Sequence, residues 1–285
     1  MNSKFIALLG GALGLGLVTT ASAADMAVKA RPAPVPVYNW TGFYIGGAVG
    51  GRWDDPRWSN TCQETGAAAT CIVFADRFAT NNPQTFRSSS VRGAIYGGYN
   101  WQVAPTWLLG VEADVGYGNN RKTNAGIPGL ESPTVAGAPG LDFSSVNQTW
   151  DASIRGRAGY LVSPSVLLYG TGGVAFTHFS ASGGCVTAFP VGWCAIGTNL
   201  PRTDTSSSDR VGWTVGGGIE AMVAPNWLLR GEYRYTDYGT YGFTQFRSPA
   251  GAGTVDTYSA DLRLRTHTAM VGLAYKFGGP VVAKY

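Results

Sequence analysis

The sequence predicts an all-β fold: an eight-stranded antiparallel barrel whose strands cross a membrane. Three observations carry this. From Trp40 to Phe277 apolar and polar residues alternate with period two, the signal of strands with two unlike faces. One phrase recurs three times, as Val103-Ala104-Pro105-Thr106-Trp107-Leu108-Leu109, Val162-Ser163-Pro164-Ser165-Val166-Leu167-Leu168 and Val223-Ala224-Pro225-Asn226-Trp227-Leu228-Leu229, with prolines 59 and 61 residues apart. Each copy is a tight turn between two strands. The opposite connections are long, about Asp54–Ser90, Asn119–Gln148, Ser180–Arg210 and Gly239–Leu264. Short turns on one side and long loops on the other are the asymmetry of a barrel threaded through a membrane.

The elements follow in order. Lys4, the apolar run Phe5 to Val18 and the small residues Ala21-Ser22-Ala23 form a secretory leader, residues 1–23, too short and wrongly flanked to span a bilayer. Residues 24–39 are a linker on the short-turn, periplasmic side, extended at Arg31-Pro32-Ala33-Pro34-Val35-Pro36 because proline fixes φ and donates no hydrogen bond. The barrel occupies residues 40–277 and a tail residues 278–285.

The first strand, Gly42–Arg52, turns Phe43, Ile45 and Val49 one way and Tyr44, Gly46 and Ala48 the other. The second, Val91–Gln102, opposes Ile95, Tyr99 and Trp101 to Arg92, Tyr96 and Asn100. The third, Trp107–Gly118, has an unbroken apolar face from Trp107 to Tyr117, with Leu108, Glu112 and Asp114 behind it. The fourth, Thr149–Val162, sets Trp150, Ile154 and Tyr160 against Asp151, Arg155 and Arg157. The fifth and sixth, Val166–Phe179 and Val211–Val223, present Leu168, Val174 and Phe176, then Trp213, Val215 and Ile219. The seventh, Trp227–Tyr238, sets Trp227, Leu229, Tyr233 and Tyr235 against Arg230, Glu232 and Arg234. The eighth, Arg265–Phe277, turns Val271, Leu273, Tyr275 and Phe277 outward. Strands of this length cross a bilayer when tilted.

The outward rings sort into two belts. Trp101, Trp107, Tyr160, Trp227, Tyr275 and Phe277 lie near the short turns; Trp53, Tyr117, Trp150, Phe176, Trp213 and Tyr235 lie near the loops. Pro105, Pro164 and Pro225 then mark the periplasmic rim. Forty-one glycines, 12% aromatic and only 13% charged residues suit a curved, lipid-facing sheet better than a water-soluble domain.

The inward face carries Arg92, Glu112, Asp114, Asp151, Arg155, Arg157, Glu220, Arg230, Glu232, Arg234 and Lys276. An eight-stranded barrel is just wide enough to be filled by side chains. Near-balanced charges in that space are expected to pair into a plug, because a lone buried ion is costly. The alternative is a narrow charge-lined diffusion pore. Cys62 and Cys71 enclose eight residues, as do Cys185 and Cys194. Local disulfides within two loops are the simplest pairing in an exported chain, each removing about 2–3 kcal/mol of loop entropy, and the other connectivities stay open.

The formal charge of +4 is too small and too dispersed for a nucleic-acid partner. No metal spacing or phosphate loop is present, and the two histidines, His178 and His267, stand apart from any cluster, so neither catalysis nor a cofactor is expected.

Tyr38-Asn39-Trp40-Thr41-Gly42-Phe43-Tyr44-Ile45-Gly46-Gly47 and the ending from Gly272 to Tyr285 resemble the small outer-membrane barrels of alphaproteobacteria, the porin-family, outer-membrane immunogenic and haemin-binding surface proteins. The resemblance implies an outer-membrane location, a surface-antigen role and, in some members, weak pore activity or haemin binding. Gly272, Tyr275 and Phe277 on the last strand resemble an outer-membrane assembly signal, which makes the barrel-assembly machinery a transient partner beside the membrane lipid. Haemin or a host surface ligand would be met by the loops.

Overall fold

A computed structural model describes residues 38–64, 82–129, 142–185, 202–247 and 257–278. The leader, most of the linker and the end of the tail lie outside the described residues. Ten strand segments follow the chain: β1 Gly42–Asp54, β2 Arg57–Glu64, β3 Gln84–Thr85, β4 Ser88–Gln102, β5 Trp107–Ala125, β6 Phe143–Ser163, β7 Val166–Cys185, β8 Arg202–Ala224, β9 Trp227–Gln245 and β10 Thr257–Lys276. Each long strand pairs antiparallel with the next, and β1 pairs with β10 from Tyr44↔Lys276 to Asp54↔Thr266, which closes a ring of eight. β2 pairs with β10 directly above β1, from Arg57↔Arg263 upward, and β3 pairs with β2. One wall strand is thus continued past a break at Asp55-Pro56.

The short turns are confined to residues 103–106, 164–165 and 225–226. The residue after each proline offers its carbonyl to a neighbouring strand: Leu161 N–H donates to Thr106 O, Met222 N–H to Ser165 O and Lys276 N–H to Asn226 O, all at 2.8 Å. The repeated phrase therefore stitches the rim as well as reversing the chain. Proline suits these corners because its fixed φ starts the turn and its missing N–H is not needed there. Asn226 stands at φ 66°, a left-handed position that asparagine tolerates.

Phe43 is 65% exposed, Val91 73%, Ile95 63%, Ile154 63% and Val271 60%, along a continuous outer face. A wall this apolar has lipid, not water, as its solvent. Ring contacts tie the belts together: Trp107 to Tyr160 at 5.3 Å and Trp227 to Tyr275 at 5.5 Å near the turns, Trp213 to Tyr235 at 5.4 Å near the other end.

The long connections require correction. The wall rises well past the outer belt, with β6 at 21 residues, β7 at 20, β8 at 23 and β10 at 20. Much of 119–148, 180–210 and 239–264 is ladder rather than loop, and β7 and β8 stay paired from Val166↔Ala221 to Cys185↔Arg202. Above the lipid the outer face is polar, so the apolar contrast that marks a strand fades while the backbone pairing continues. Cys62 lies on β2 and Cys185 ends β7, both on wall segments rather than in free loops. Cys71 and Cys194 lie outside the described residues.

Candidate functional site

The lumen is built in three layers, and the order is the same along every strand that contributes. Nearest the short turns, Leu108, Leu161, Leu167, Leu228 and Ala274 pack around Trp40, with Tyr44, Tyr96 and Tyr169 above them, all buried. Trp40 precedes β1 and folds under the barrel. Its indole N–H donates to Pro164 O at 3.0 Å, and its backbone N–H to Gln102 Oε1 at 3.3 Å. At the far end Trp58, Phe86, Phe179, Phe243, Phe246 and Tyr258 join Val146, Leu262 and Leu264 in a second apolar cluster. There burial raises the Tyr258 phenol well above its ordinary pKa, so the hydroxyl stays protonated, donates to Pro128 O at 2.7 Å and accepts from Trp58 Nε1 at 3.0 Å.

Between the clusters lies a charged layer. Arg92 grips Asp151 through Nε at 2.9 Å and Nη2 at 2.6 Å, and reaches Asp114 at 2.7 Å. Arg234 holds the other Asp114 oxygen at 2.7 Å, where Ser153 also donates. Arg155 spans Glu232, at 2.6 Å, and Glu112. Glu112 takes Arg230 and the Tyr44 hydroxyl, the latter at 2.7 Å, on its second oxygen. Arg157 lies 3.1 Å from Glu220, donates to the Tyr44 oxygen and stacks on the Tyr169 ring at 4.0 Å. Bidentate arginine–carboxylate geometry is what makes buried ion pairs tolerable.

Arg52 and Asp54 complete the layer and were not singled out from the sequence. Arg52 is fully buried, lies 3.3 Å from Asp151 and 3.6 Å from Asp54, and donates to the Gln148 carbonyl at 2.7 Å. The signal was present, since Arg52 shares its parity with inward Tyr44. With them, six arginines (Arg52, Arg92, Arg155, Arg157, Arg230, Arg234) meet six carboxylates (Asp54, Glu112, Asp114, Asp151, Glu220, Glu232). Lys276 stands apart: it is buried at the rim below the apolar layer and donates to Thr41 O at 3.4 Å.

An outward apolar wall, two aromatic belts and a filled lumen describe a barrel made for a lipid membrane. The family model for the outer membrane protein beta-barrel domain matches residues 11–277. The chain belongs to this family. It is 30% identical to the 31 kDa outer-membrane immunogenic protein of Brucella melitensis over 91% of this chain and 94% of the relative. It is 30% identical to the 22 kDa outer membrane protein of Rhizobium leguminosarum over 73% of this chain and 70% of the relative. Among solved structures, OprG of Pseudomonas aeruginosa aligns with 86% of this chain and 100% of its own at 15% identity and a TM-score of 0.47. The protein is an outer-membrane β-barrel of the alphaproteobacterial immunogenic-protein group.

Several family-linked residues can be placed on this outer-membrane barrel. Gly272 faces the lumen, where an added Cβ would stand 2.9 Å from the Tyr96 hydroxyl. Tyr275 and Phe277 face outward with their rings 5.3 Å apart, and Phe277 N–H donates to Phe43 O at 2.7 Å. His178 and His267 lie on the outside of the wall, on different strands. His178 Nδ1 is 2.7 Å from Asp209, and His267 Nδ1 is 2.6 Å from the Tyr233 hydroxyl.

Proposed function

We propose that this barrel is a non-catalytic surface protein with a closed lumen, whose contacts with the outside are made by the part of its wall above the membrane. One observation carries the reading: a charge-balanced layer fills the bore between two buried apolar clusters. An ion entering would have to displace paired arginines and shed its water at two apolar seals, and both steps are costly. The immunogenic naming of the Brucella relative supports a surface-exposed role for the same wall.

Residues 1–23 are read as a removed leader, residues 24–39 as a periplasmic linker and residues 278–285 as a tail. Cys62–Cys71 and Cys185–Cys194 are read as local disulfides, and the last strand, through Gly272, Tyr275 and Phe277, as the segment met by the barrel-assembly machinery. The decisive experiment is conductance of the purified, refolded protein in planar bilayers, with a heat-dependent shift in gel mobility as proof of folding. A silent bilayer is expected. Stable single-channel steps would sink the closed-lumen reading in favour of a small diffusion pore. Saturable haemin absorbance, lost in His178→Ala or His267→Ala, would favour a receptor.

A further inference from the structure

We propose that one sector of the outer wall, over β10, β1–β2, β4 and β5, is a docking face for an outer-leaflet glycolipid carrying two phosphates and acyl chains. The first observation is where external charge begins. On the outward positions between the two belts the described strands carry no Asp, Glu, Lys or Arg; above the outer belt cations appear together. Arg263 and Arg265 follow His267 on β10, Arg57 follows Trp53 across the break, and Arg87 precedes β4. β5 adds Arg121 and Lys122. Its upper part runs beside this patch, since Asn124 Nδ2 donates to Thr85 O at 3.3 Å.

These six cations exceed the nearby acids. Asp55 accepts from Arg87 at 3.2 Å, and one Asp237 oxygen serves both Arg263, at 3.1 Å, and Arg265, at 3.3 Å. Asp261, paired in register with Ser59, is the third acid. The Arg87 side chain is 82% exposed, and Arg57, Arg121 and Lys122 are exposed as well. Arginine at headgroup height next to aromatic rings is the arrangement that binds phosphate at a membrane surface. Neighbouring strands lie about 4.8 Å apart, so the patch from β10 to β5 is roughly 14 Å wide. That breadth suits two phosphates on a disaccharide better than a single phospholipid headgroup.

The second observation lies directly below. The lipid-facing surface of the same strands is hollowed into a groove lined by Gly47, Val49, Gly93, Ile95, Val271 and Leu273. A Cβ built on Gly93 meets nothing within 4 Å, and one on Gly47 first meets Ala94 O at 3.8 Å. The groove is open because side chains are missing, and an acyl chain fills such a trough. A smaller hollow lined by Trp53, Asp55, Arg87, Ser88, Ser89 and His267 lies at the level of the charge patch. Phosphate above and hydrocarbon below, on one set of strands, match a phosphorylated acylated amphiphile in orientation as well as charge.

Native mass spectrometry of the refolded full barrel in detergent, titrated with diphosphoryl hexa-acyl lipid A, tests this, with gel mobility confirming that each variant folds. One tightly held lipid is expected on the wild type. Replacing Arg57, Arg87 and Lys122 together by Gln should weaken it at least tenfold, while Arg247→Gln, beyond the upper end of β9 and outside this set of strands, changes nothing. Gly93→Leu should weaken the acylated lipid and leave binding of the deacylated diphosphoryl disaccharide unchanged. Equal binding by the triple variant, equal retention of phosphatidylglycerol, or displacement by millimolar inorganic phosphate would each overturn the proposal. If the triple variant does not fold, Arg87→Gln alone reads the same question, with a severalfold weakening expected and none overturning it.

Discussion

Trp40 and Pro164 meet across the short-turn mouth of the barrel: the indole N–H of one donates to the carbonyl of the other at 3.0 Å, 124 residues away along the chain. The contact joins the segment leading into β1 to the turn between β6 and β7. Trp40 is fully buried among Leu108, Leu161, Leu167 and Leu228, so the chain leading into the barrel is also part of its lower apolar cluster.

Trp40→Ala removes the largest side chain of that cluster. Loss of a buried tryptophan costs about 3–5 kcal/mol. Urea unfolding of the refolded barrel, followed by gel mobility, should show a loss of unfolding free energy of that size. The charged layer above remains, so the variant should still be silent in planar bilayers; a new conductance would place the seal of the bore at Trp40 instead.

Glu112→Ala strips a shared partner from Arg155 and Arg230 and from the Tyr44 hydroxyl. Leaving buried guanidiniums without their carboxylate costs about 3–5 kcal/mol. Arg87→Ala breaks an exposed pair with Asp55 and should cost less than about 1 kcal/mol. Equal unfolding midpoints for the two variants would refute the distinction between lumen and surface pairs.

Two glycines on the same pair of strands should answer oppositely to alanine. A Cβ on Gly116 would stand 2.3 Å from Arg92 Cζ, and the guanidinium would have to leave Asp114 or Asp151. Gly93 faces open space. Gly116→Ala should lower the unfolding midpoint clearly and Gly93→Ala should not. A midpoint drop for Gly93→Ala as large as that for Gly116→Ala would contradict the register that places one inside and the other outside.

Asn226 holds φ at 66° in the turn between β8 and β9. Asn226→Gly should be close to neutral, whereas Asn226→Val should cost about 1–2 kcal/mol, since a branched residue resists that region. Thermal melts of the two variants provide the comparison, and similar melting temperatures would count against a strained turn.

Peptide mapping without reductant should recover Cys62 joined to Cys71 and Cys185 joined to Cys194. A cross-linked pair such as Cys62 with Cys185 would replace the local pairing with a brace between two wall segments.

The membrane-facing part of each strand was legible in the sequence because lipid on one side and a polar bore on the other force strict alternation. Trp107 to Tyr117 is the clearest case. Above the outer belt, water lies outside, and runs such as Thr203 to Ser208 are polar on both faces, so β8 looked like loop there although it stays paired with β7. Arg52 is hard to read from sequence because the three inner positions before it on β1, Gly46, Ala48 and Gly50, are small and give little sign of a packed interior.

By itself the sequence determined the strand number, which connections are tight turns and the direction each membrane-facing side chain takes. Those depend on local turn chemistry and on period two, which act over a few residues. The tertiary structure alone decided that Arg155 lies between Glu112 and Glu232, that Trp40 reaches Pro164, and that Arg57, Arg87 and Arg263 share one patch. Each of these joins residues on different strands, and it is the stagger set when β1 closes on β10 that determines which side chains come to the same height.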